Sequence, residues 1–225
     1  MRKRTKLADR PLPDYTRGEE IFNMVTHIVG GAFGIVMLIL CIIKAAHSGL
    51  ASHVICAIVF GLSMIILYSM SAIYHGLSPK LKSKKVMQIL DHCSVFVLIA
   101  GTYTPITICG IVPTHPALGW TIFGIVWGIS TIGILLNAID CHKYMGISMA
   151  CYLGLGWCVV ATLPVLADCI GMTAVWLLFA GGIMYTVGAI LFGLGVKHRY
   201  MHSVFHIFVV LGSVFHGLMV LLCLL

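Results

Sequence analysis

The sequence predicts an all-α polytopic membrane protein, a bundle of seven transmembrane helices. Hydrophobic residues make up 60% of the 225-residue chain and charged residues only 9%, with a mean hydropathy of +1.06. In a soluble domain about a quarter of the residues are charged. Apolar runs of about 20 residues, each long enough to cross a hydrocarbon core about 30 Å thick as a helix, follow one another along the chain. None of these runs shows the strict alternation expected of strands in a membrane β-barrel.

The apolar runs account for nearly the whole sequence, and charged residues, Pro or Gly mark the breaks between them. They span residues 22–44, 51–75, 86–109, 117–137, 145–167, 172–195 and 201–224. We expect Pro105 and Pro164 to kink the third and fifth helices, because proline removes a backbone hydrogen bond. The division predicts a short basic tail, residues 1–20, and one membrane domain, residues 21–225. Any function must then be carried out by the bundle itself.

The basic residues predict the orientation of the bundle. With the N-terminus in the cytoplasm, every Lys and Arg except Lys44 falls in a cytoplasmic segment, as the positive-inside rule requires. These residues are Arg2, Lys3, Arg4, Lys6, Arg10, Arg17, Lys80, Lys82, Lys84, Lys85, Lys143, Lys197 and Arg199. We therefore expect the C-terminus outside, in a multi-pass protein of the cell inner (plasma) membrane. The net charge of +7 is accounted for by this bias and by anionic lipids, so no nucleic-acid partner is expected.

Ionisable side chains within the apolar runs gather at their predicted cytoplasmic ends, and in lipid each of them needs a partner. His202 and His206 are four residues apart and share a helix face. At about 100° per residue, His216 returns to within about 80° of that face. Ser71 and His75 repeat the four-residue spacing at the end of the second run, and Asp91 opens the third.

Three imidazoles from separate helical positions suit a zinc ion, which in catalytic sites keeps an open fourth position for water. We predict His75, His202 and His206 as Zn²⁺ ligands. Asp91 and Ser71 are the predicted catalytic residues: Asp91 would hydrogen-bond the water or a ligand, and Ser71 would orient the water or a substrate carbonyl. Zinc lowers the pKa of such a water to about 7, which suffices for attack on an amide or ester.

A further set of polar residues is predicted to act in the second shell or in a proton path. Its members are Glu20, Asn23, His27 and His216. The first three have spacings of three and four residues and share one stripe of the first helix. Other roles stay open, since Glu20 also suits a helix N-terminus and a single histidine in a membrane helix serves equally well as an interhelical hydrogen-bonding group.

Four motifs together resemble those of the hemolysin III family. They are ExxNxxTH (Glu20 to His27), SxxYH (Ser71 to His75), LDHCxxxxLIAGTYTP (Leu90 to Pro105) and HxxxH (His202 and His206) followed by His216. That family is grouped with the progestin and adipoQ receptors and, more distantly, with the alkaline ceramidases. The resemblance covers essentially the whole chain. It implies seven spans, a cytoplasmic-side zinc ion held by the three histidines, and lipid-amide chemistry as in some relatives.

These observations favour a ceramidase-like, zinc-dependent lipid amidase that acts in membrane-lipid and fluidity homeostasis, in a bacterial membrane by analogy with the family. The expected partners are membrane lipids, with an N-acyl lipid as substrate. A non-enzymatic lipid sensor with a structural zinc ion is the first alternative. A cytolytic protein, as the family name suggests, is the second, although a pore needs a polar stripe through the bilayer and the outer halves of the spans show none. Small-residue spacing in Gly30–Gly34 and Gly124–Gly128 predicts internal helix packing and leaves a homo-oligomer open.

Overall fold

The fold is described from a computed structural model that covers residues 5–225, and over that range the chain is helical and contains no strand. The predicted all-α class is therefore confirmed. Arg2, Lys3 and Arg4 of the basic tail lie outside the described residues. The helices are α1 (Arg17–His47), α2 (Ala51–Gly76), α3 (Lys82–Pro105), α4 (Pro116–Asp140), α5 (Met145–Trp157), α6 (Leu163–Leu194) and α7 (Met201–Met219).

Shorter irregular helices extend or join these elements. A π-helical segment, Ile106–Ile111, continues α3 after Pro105, and a second, Val220–Leu224, continues α7. A 3-10 segment, Cys158–Thr162, joins α5 to α6. Pro164 lies in the first turn of α6, where a missing N–H costs no intrahelical bond. Pro105 therefore lies where α3 changes to π-helical geometry, whereas the predicted kink at Pro164 is wrong, because this proline begins a new helix.

Within residues 5–225, six helical stretches are long and apolar enough to cross a membrane. They are Arg17–His47, Ala51–Gly76, Lys82–Ile111, Pro116–Asp140, Met145–Leu194 and Met201–Leu224. The chain is accordingly a multi-pass membrane protein. The number differs from the seven predicted crossings because Met145–Leu194, at 50 residues, contains two of the predicted apolar runs.

The long stretch Met145–Leu194 doubles back on itself. Gly171 has φ 79° and ψ 158°, a conformation that is essentially restricted to glycine. Trp157 and Thr186 lie on opposite sides of this break, yet Trp157 Nε1 donates a hydrogen bond to Thr186 Oγ1 over 2.9 Å. A straight helix would hold residues 29 positions apart about 43 Å from one another. The chain therefore reverses direction at Gly171.

The start of α1 is set by a capping box. Thr16 Oγ1 accepts a hydrogen bond from the Glu19 backbone N–H (3.2 Å), while the Glu19 carboxylate accepts one from the Thr16 backbone N–H (2.8 Å). These reciprocal bonds satisfy two otherwise unpaired donors, and α1 begins at Arg17 instead of residue 22. Glu20 consequently lies in the first turn of α1, where its carboxylate contacts side chains of α2 and α3.

Close helix packing holds the bundle around its polar residues. A Cβ atom on Gly30 of α1 would lie 2.5 Å from the Tyr68 ring of α2, and one on Gly34 would lie 3.3 Å from Met64. The prediction of internal packing is confirmed for this pair of glycines. It is wrong for Gly124 and Gly128 of α4, since no atom lies within 4 Å of a Cβ built on either residue.

Candidate metal centre

Three buried histidines converge at the end of the bundle that carries the α2–α3 and α6–α7 connections. His75 belongs to the last turn of α2, whereas His202 and His206 lie in the first two turns of α7. One ring nitrogen of each lies within 4.8 Å of the others, and the Nε2 atoms of His202 and His206 are 3.0 Å apart. Nitrogens bound tetrahedrally to zinc at 2.0–2.1 Å are about 3.3 Å apart. The cluster thus has the donor type and nearly the spacing that zinc requires.

The surroundings of His75 fit a metal ligand. Its Nδ1 lies 2.7 Å from Glu20 Oε2 and 3.4 Å from Asn23 Nδ2. Its Nε2 is buried and has no hydrogen-bond partner, which costs about 1–3 kcal/mol for a polar atom. Metal-ligating histidines usually donate their other ring N–H to a carboxylate or carbonyl. A metal ion at Nε2 would satisfy the one polar atom of this ring that the protein leaves unpaired.

Glu20 is itself held by a buried lysine. Lys84 Nζ, in the first turn of α3, lies 2.7 Å from Glu20 Oε1 and donates to the Leu77 carbonyl over 2.9 Å. Only 1% of Lys84 is exposed, and the ammonium lies 4.9 Å from the centre of the Tyr74 ring. In the sequence Lys84 is one of several predicted cytoplasmic charges, and its contact with Glu20 was not predicted. No local signal separates it from Lys82 or Lys85.

His27 packs directly against the histidine cluster without joining the group of three. Its ring lies 3.8 Å from the His206 ring, centre to centre, with an angle of 30° between the planes. Both of its ring nitrogens are buried and have no partner, and the Tyr68 ring meets it edge to face at 5.1 Å. The structure therefore brings the predicted stripe Glu20, Asn23 and His27 to the cluster.

A cavity of about 210 Å³ lies beside the histidines. Its polar lining includes Ser71, Asp91, His27, His202 and His206. Side chains from α3, α5 and α6 form its apolar walls, among them Leu98, Ile99, Met149, Leu153 and Phe192. His216 also lines the cavity, and its Nε2 lies 3.1 Å from the Leu178 carbonyl. The two predicted catalytic residues thus share one cavity with two of the predicted ligands.

The family model for Haemolysin-III related proteins matches residues 15–217 of the sequence, which include every residue of this cluster. The chain belongs to the haemolysin III family. The resemblance drawn from the motifs is thereby confirmed.

Sequence similarity of this chain to individual haemolysin III proteins supports the same assignment. It is 37% identical to "Hemolysin-3" of Bacillus cereus over 195 residues, which cover 87% of each chain. It is 36% identical to "Hemolysin-3 homolog" of Bacillus subtilis (strain 168) over 199 residues, 88% of this chain and 91% of that protein. A more distant similarity, 21% over 170 residues, links it to the "Monocyte to macrophage differentiation factor" of Homo sapiens, with 72% of this chain and 67% of that protein covered.

In this haemolysin III protein an N-terminal segment, residues 5–16, lies across the cluster. The Tyr15 ring stacks on His202 at 4.9 Å with 21° between the planes. Burial, followed by the nearby carboxylates of Asp91 and Glu20, raises the pKa of the Tyr15 phenol above its usual value, so the hydroxyl stays protonated. Arg10, only 3% exposed, anchors the segment by donating to the Ile139 carbonyl over 2.7 Å. This tight docking was not evident from the polar, basic sequence of the tail.

Glu19 fixes the other side of the haemolysin III site. Its carboxylate accepts a hydrogen bond from the Tyr200 backbone N–H over 2.7 Å and lies 3.4 Å from the Arg199 guanidinium. Tyr200 has a positive φ of 62°, which is uncommon for a residue other than glycine, and it immediately precedes α7. Glu19 therefore ties the start of α1 to the start of the helix that carries His202 and His206.

Proposed function

We propose that this protein is a zinc-dependent hydrolase of a bacterial inner membrane that cleaves the amide bond of N-acyl lipids and so contributes to membrane-lipid homeostasis. The observation that carries the proposal is the convergence of His75, His202 and His206 beside a largely apolar cavity that also contains Asp91 and Ser71. These three histidines would hold the ion. When bound, zinc supplies Lewis acidity and lowers the pKa of water to about 7.

The apolar cavity walls, Ser71 and Asp91 each have a separate role in amide hydrolysis. The apolar walls receive the acyl chain, and the Ser71 hydroxyl donates a hydrogen bond to the amide carbonyl. Asp91 accepts a proton from the attacking water and passes it to the leaving nitrogen as the C–N bond breaks, which is general base and then general acid catalysis. The products are a fatty acid and an amine, so the atoms of the lipid and one water are accounted for. Both side chains line the cavity.

The proposed topology has seven crossings, with the N-terminus in the cytoplasm and the C-terminus outside. The reversal at Gly171 supports two crossings within Met145–Leu194. Lys44 lies at the end of the bundle opposite the histidines, where its Nζ donates to the Leu221 carbonyl, whereas the other basic residues follow the positive-inside rule. Alkaline phosphatase, whose disulfides form only outside the cytoplasm, should be active when fused after Leu225. An inactive fusion would place the C-terminus in the cytoplasm and refute the proposed topology.

A second candidate function, a lipid-responsive protein braced by zinc, is favoured by the way that the cluster joins the helices. His75 belongs to α2 and His202 and His206 to α7, while Glu20 of α1 and Lys84 of α3 support His75. One ion would then join α2 to α7, and α1 and α3 would be linked to it through Glu20 and His75. A lipid in the cavity could bias the packing of these helices without being cleaved. Turnover of a lipid distinguishes this candidate from the hydrolase.

The first experiment measures metal content. We expect about one zinc per chain by elemental analysis of protein purified in detergent, and loss of zinc in the double variant His202→Ala/His206→Ala. His47→Ala is the matched control, because His47 is exposed at the end of α1 remote from the cluster, and this variant should keep its zinc. Zinc-free wild-type protein, or zinc retained by the double variant, would refute both candidate functions.

The second experiment measures turnover. Zinc-loaded protein is incubated with ceramides and other N-acyl lipids, and released fatty acid is measured by mass spectrometry. Asp91→Asn should keep zinc and lose release by at least about 100-fold, within the 10²–10⁴-fold range of general acid–base catalysis. If zinc is bound but no lipid is cleaved, the bracing function replaces the hydrolase.

A further inference from the structure

Glu20 lies between a predicted metal ligand and a buried cation. One carboxylate oxygen lies 2.7 Å from His75 Nδ1, and the other lies 2.7 Å from Lys84 Nζ. The three residues come from α1, α2 and α3, and each lies in a helical turn at the same end of the bundle. If the Glu20 carboxylate turned toward solvent, it would lose its contacts with both His75 and Lys84.

Lys84 is held more firmly than an ordinary surface lysine. Its ammonium donates to the Leu77 carbonyl as well as to Glu20 and lies over the Tyr74 ring. These contacts use two of the three hydrogen-bond donors of the ammonium and add a cation–π attraction. Removing such a cation from water costs several kcal/mol unless it is paired, so its 1% exposure is tolerated only because Glu20 is there. Lys82, two residues earlier, is exposed.

Two neighbours compete for the same nitrogen of His75. The Glu20 carboxylate accepts a hydrogen bond from the Nδ1–H group, which keeps the ring proton on Nδ1 and leaves the Nε2 lone pair free to bind a metal. The Asn23 amide nitrogen, 3.4 Å away, is a donor, and pairing with it would place the ring proton on Nε2. That tautomer cannot ligate through Nε2. The carboxylate of Glu20 therefore decides whether His75 is competent as a ligand.

We propose that Lys84 is a positioning residue for the metal centre. By holding the Glu20 carboxylate against His75 Nδ1, it keeps His75 in the tautomer and orientation in which Nε2 faces His202 and His206. Without Lys84, the Glu20 side chain, which is 15% exposed, is free to turn toward water and leave Nδ1 to Asn23. This inference rests on the zinc site proposed above. It adds a residue from α3 that does not touch the ion.

The test compares zinc affinities of purified full-length variants by competition with a chromophoric chelator. Lys84→Met removes the charge of Lys84 while keeping much of the side-chain length. Glu20→Gln removes the charge of its partner in the same ion pair. We expect each to weaken zinc binding about 10- to 100-fold, the usual effect of losing a group that orients a ligand. Lys82→Met is the matched control on the same helix and should bind as the wild type does.

The double variant Lys84→Met/Glu20→Gln separates positioning from general destabilisation. If Lys84 acts through Glu20, the double variant loses no more affinity than the stronger single variant, because coupled residues are non-additive. The visible spectrum of bound Co²⁺ should change in both single variants and remain unchanged in Lys82→Met. If Lys84→Met does not fold, Glu20→Gln and its Co²⁺ spectrum test the same link.

The failure of this inference differs from the failure of the proposed function. Wild-type protein that binds no zinc refutes the metal site as a whole. Wild-type protein that binds zinc, together with a folded Lys84→Met or Glu20→Gln variant of unchanged affinity and unchanged Co²⁺ spectrum, overturns the positioning role alone. A lower melting temperature of the zinc-free Lys84→Met protein with unchanged affinity would likewise show a purely structural ion pair.

Discussion

Tyr15 lies nearly face to face with His202, with 4.9 Å between the ring centres and 21° between the planes. The N-terminal segment thus covers one face of a predicted zinc ligand. Arg10 holds the same segment against the end of α4 through the Ile139 carbonyl. Tyr15 and Arg10 together hold the segment over the cluster.

We expect Tyr15→Ala to expose the cluster and to accelerate the removal of zinc by a chelator. A stacked ring pair contributes about 0.5–1.5 kcal/mol, which corresponds to an increase of about 2- to 12-fold in the population of the open state. The measurement is the rate of zinc loss to excess EDTA in detergent solution. Tyr15→Phe keeps the ring and should lose zinc at the wild-type rate. Equal rates for the alanine and wild-type proteins would show that the segment does not limit access.

The site was partly predictable because helical spacing carries spatial information. The four-residue spacing of His202 and His206 places both side chains on one face of a helix. Helix ends that lie on the same side of the membrane also lie at the same end of the bundle. Lys84 could not be recognised in this way. It sits among Lys80, Lys82 and Lys85, and its partner Glu20 lies on another helix. Only the tertiary structure, which brings Glu20 of α1 to within 2.7 Å of the Lys84 ammonium, separates Lys84 from its neighbours.

The fold was predictable to a similar extent. The apolar runs located the helices, since each had to satisfy its backbone within lipid. The early start of α1 was also encoded locally, because Thr16 and Glu19 form the spacing of a capping box. The docking of the N-terminal segment was not. Arg10 and Tyr15 reach buried partners that are distant along the sequence, and a polar tail gives no periodic signal.

Removing zinc should lower the melting temperature of the wild-type protein. A ligand that binds only the folded state at 100 times its Kd stabilises that state by about 2.7 kcal/mol, and the loss of that amount corresponds to several degrees. Thermal unfolding with and without chelator measures the difference. In His202→Ala/His206→Ala the chelator should have no effect, because two of the three ligands are gone. A chelator-dependent shift that persists in this variant would place the metal elsewhere.

Gly133→Ala should destabilise the contact between α3 and α4. A Cβ atom at this position would overlap the Phe96 ring, and Phe96 is completely buried among other side chains. Overpacking of this kind costs about 1–3 kcal/mol. Gly124→Ala, on the same helix, meets open space and should leave stability unchanged or slightly higher. The free energies of unfolding of both variants are compared in mixed detergent micelles. Equal values would contradict the close contact between Gly133 and Phe96.

Ser213→Ala should destabilise the interior of the bundle by breaking a shared hydroxyl. Ser213 Oγ lies 2.7 Å from the Tyr68 hydroxyl and 2.8 Å from the Tyr185 hydroxyl, and it thereby joins α2, α6 and α7. Interhelical hydrogen bonds in membranes average about 0.6 kcal/mol and reach about 1.7. Because one substitution removes two of them, we expect a loss of about 1–3 kcal/mol in the free energy of unfolding.

Ser130 provides the matched control for this substitution. Its Oγ is buried and has no hydrogen-bond partner, so Ser130→Ala removes a polar group that gains nothing from folding. We expect Ser130→Ala to be neutral or stabilising under the conditions in which Ser213→Ala is destabilising. If the two variants unfold alike, Ser213 contributes no more than an isolated hydroxyl. Tyr68 would then be held by its ring packing and by the hydrogen bond that its hydroxyl donates to the Val209 carbonyl over 3.3 Å.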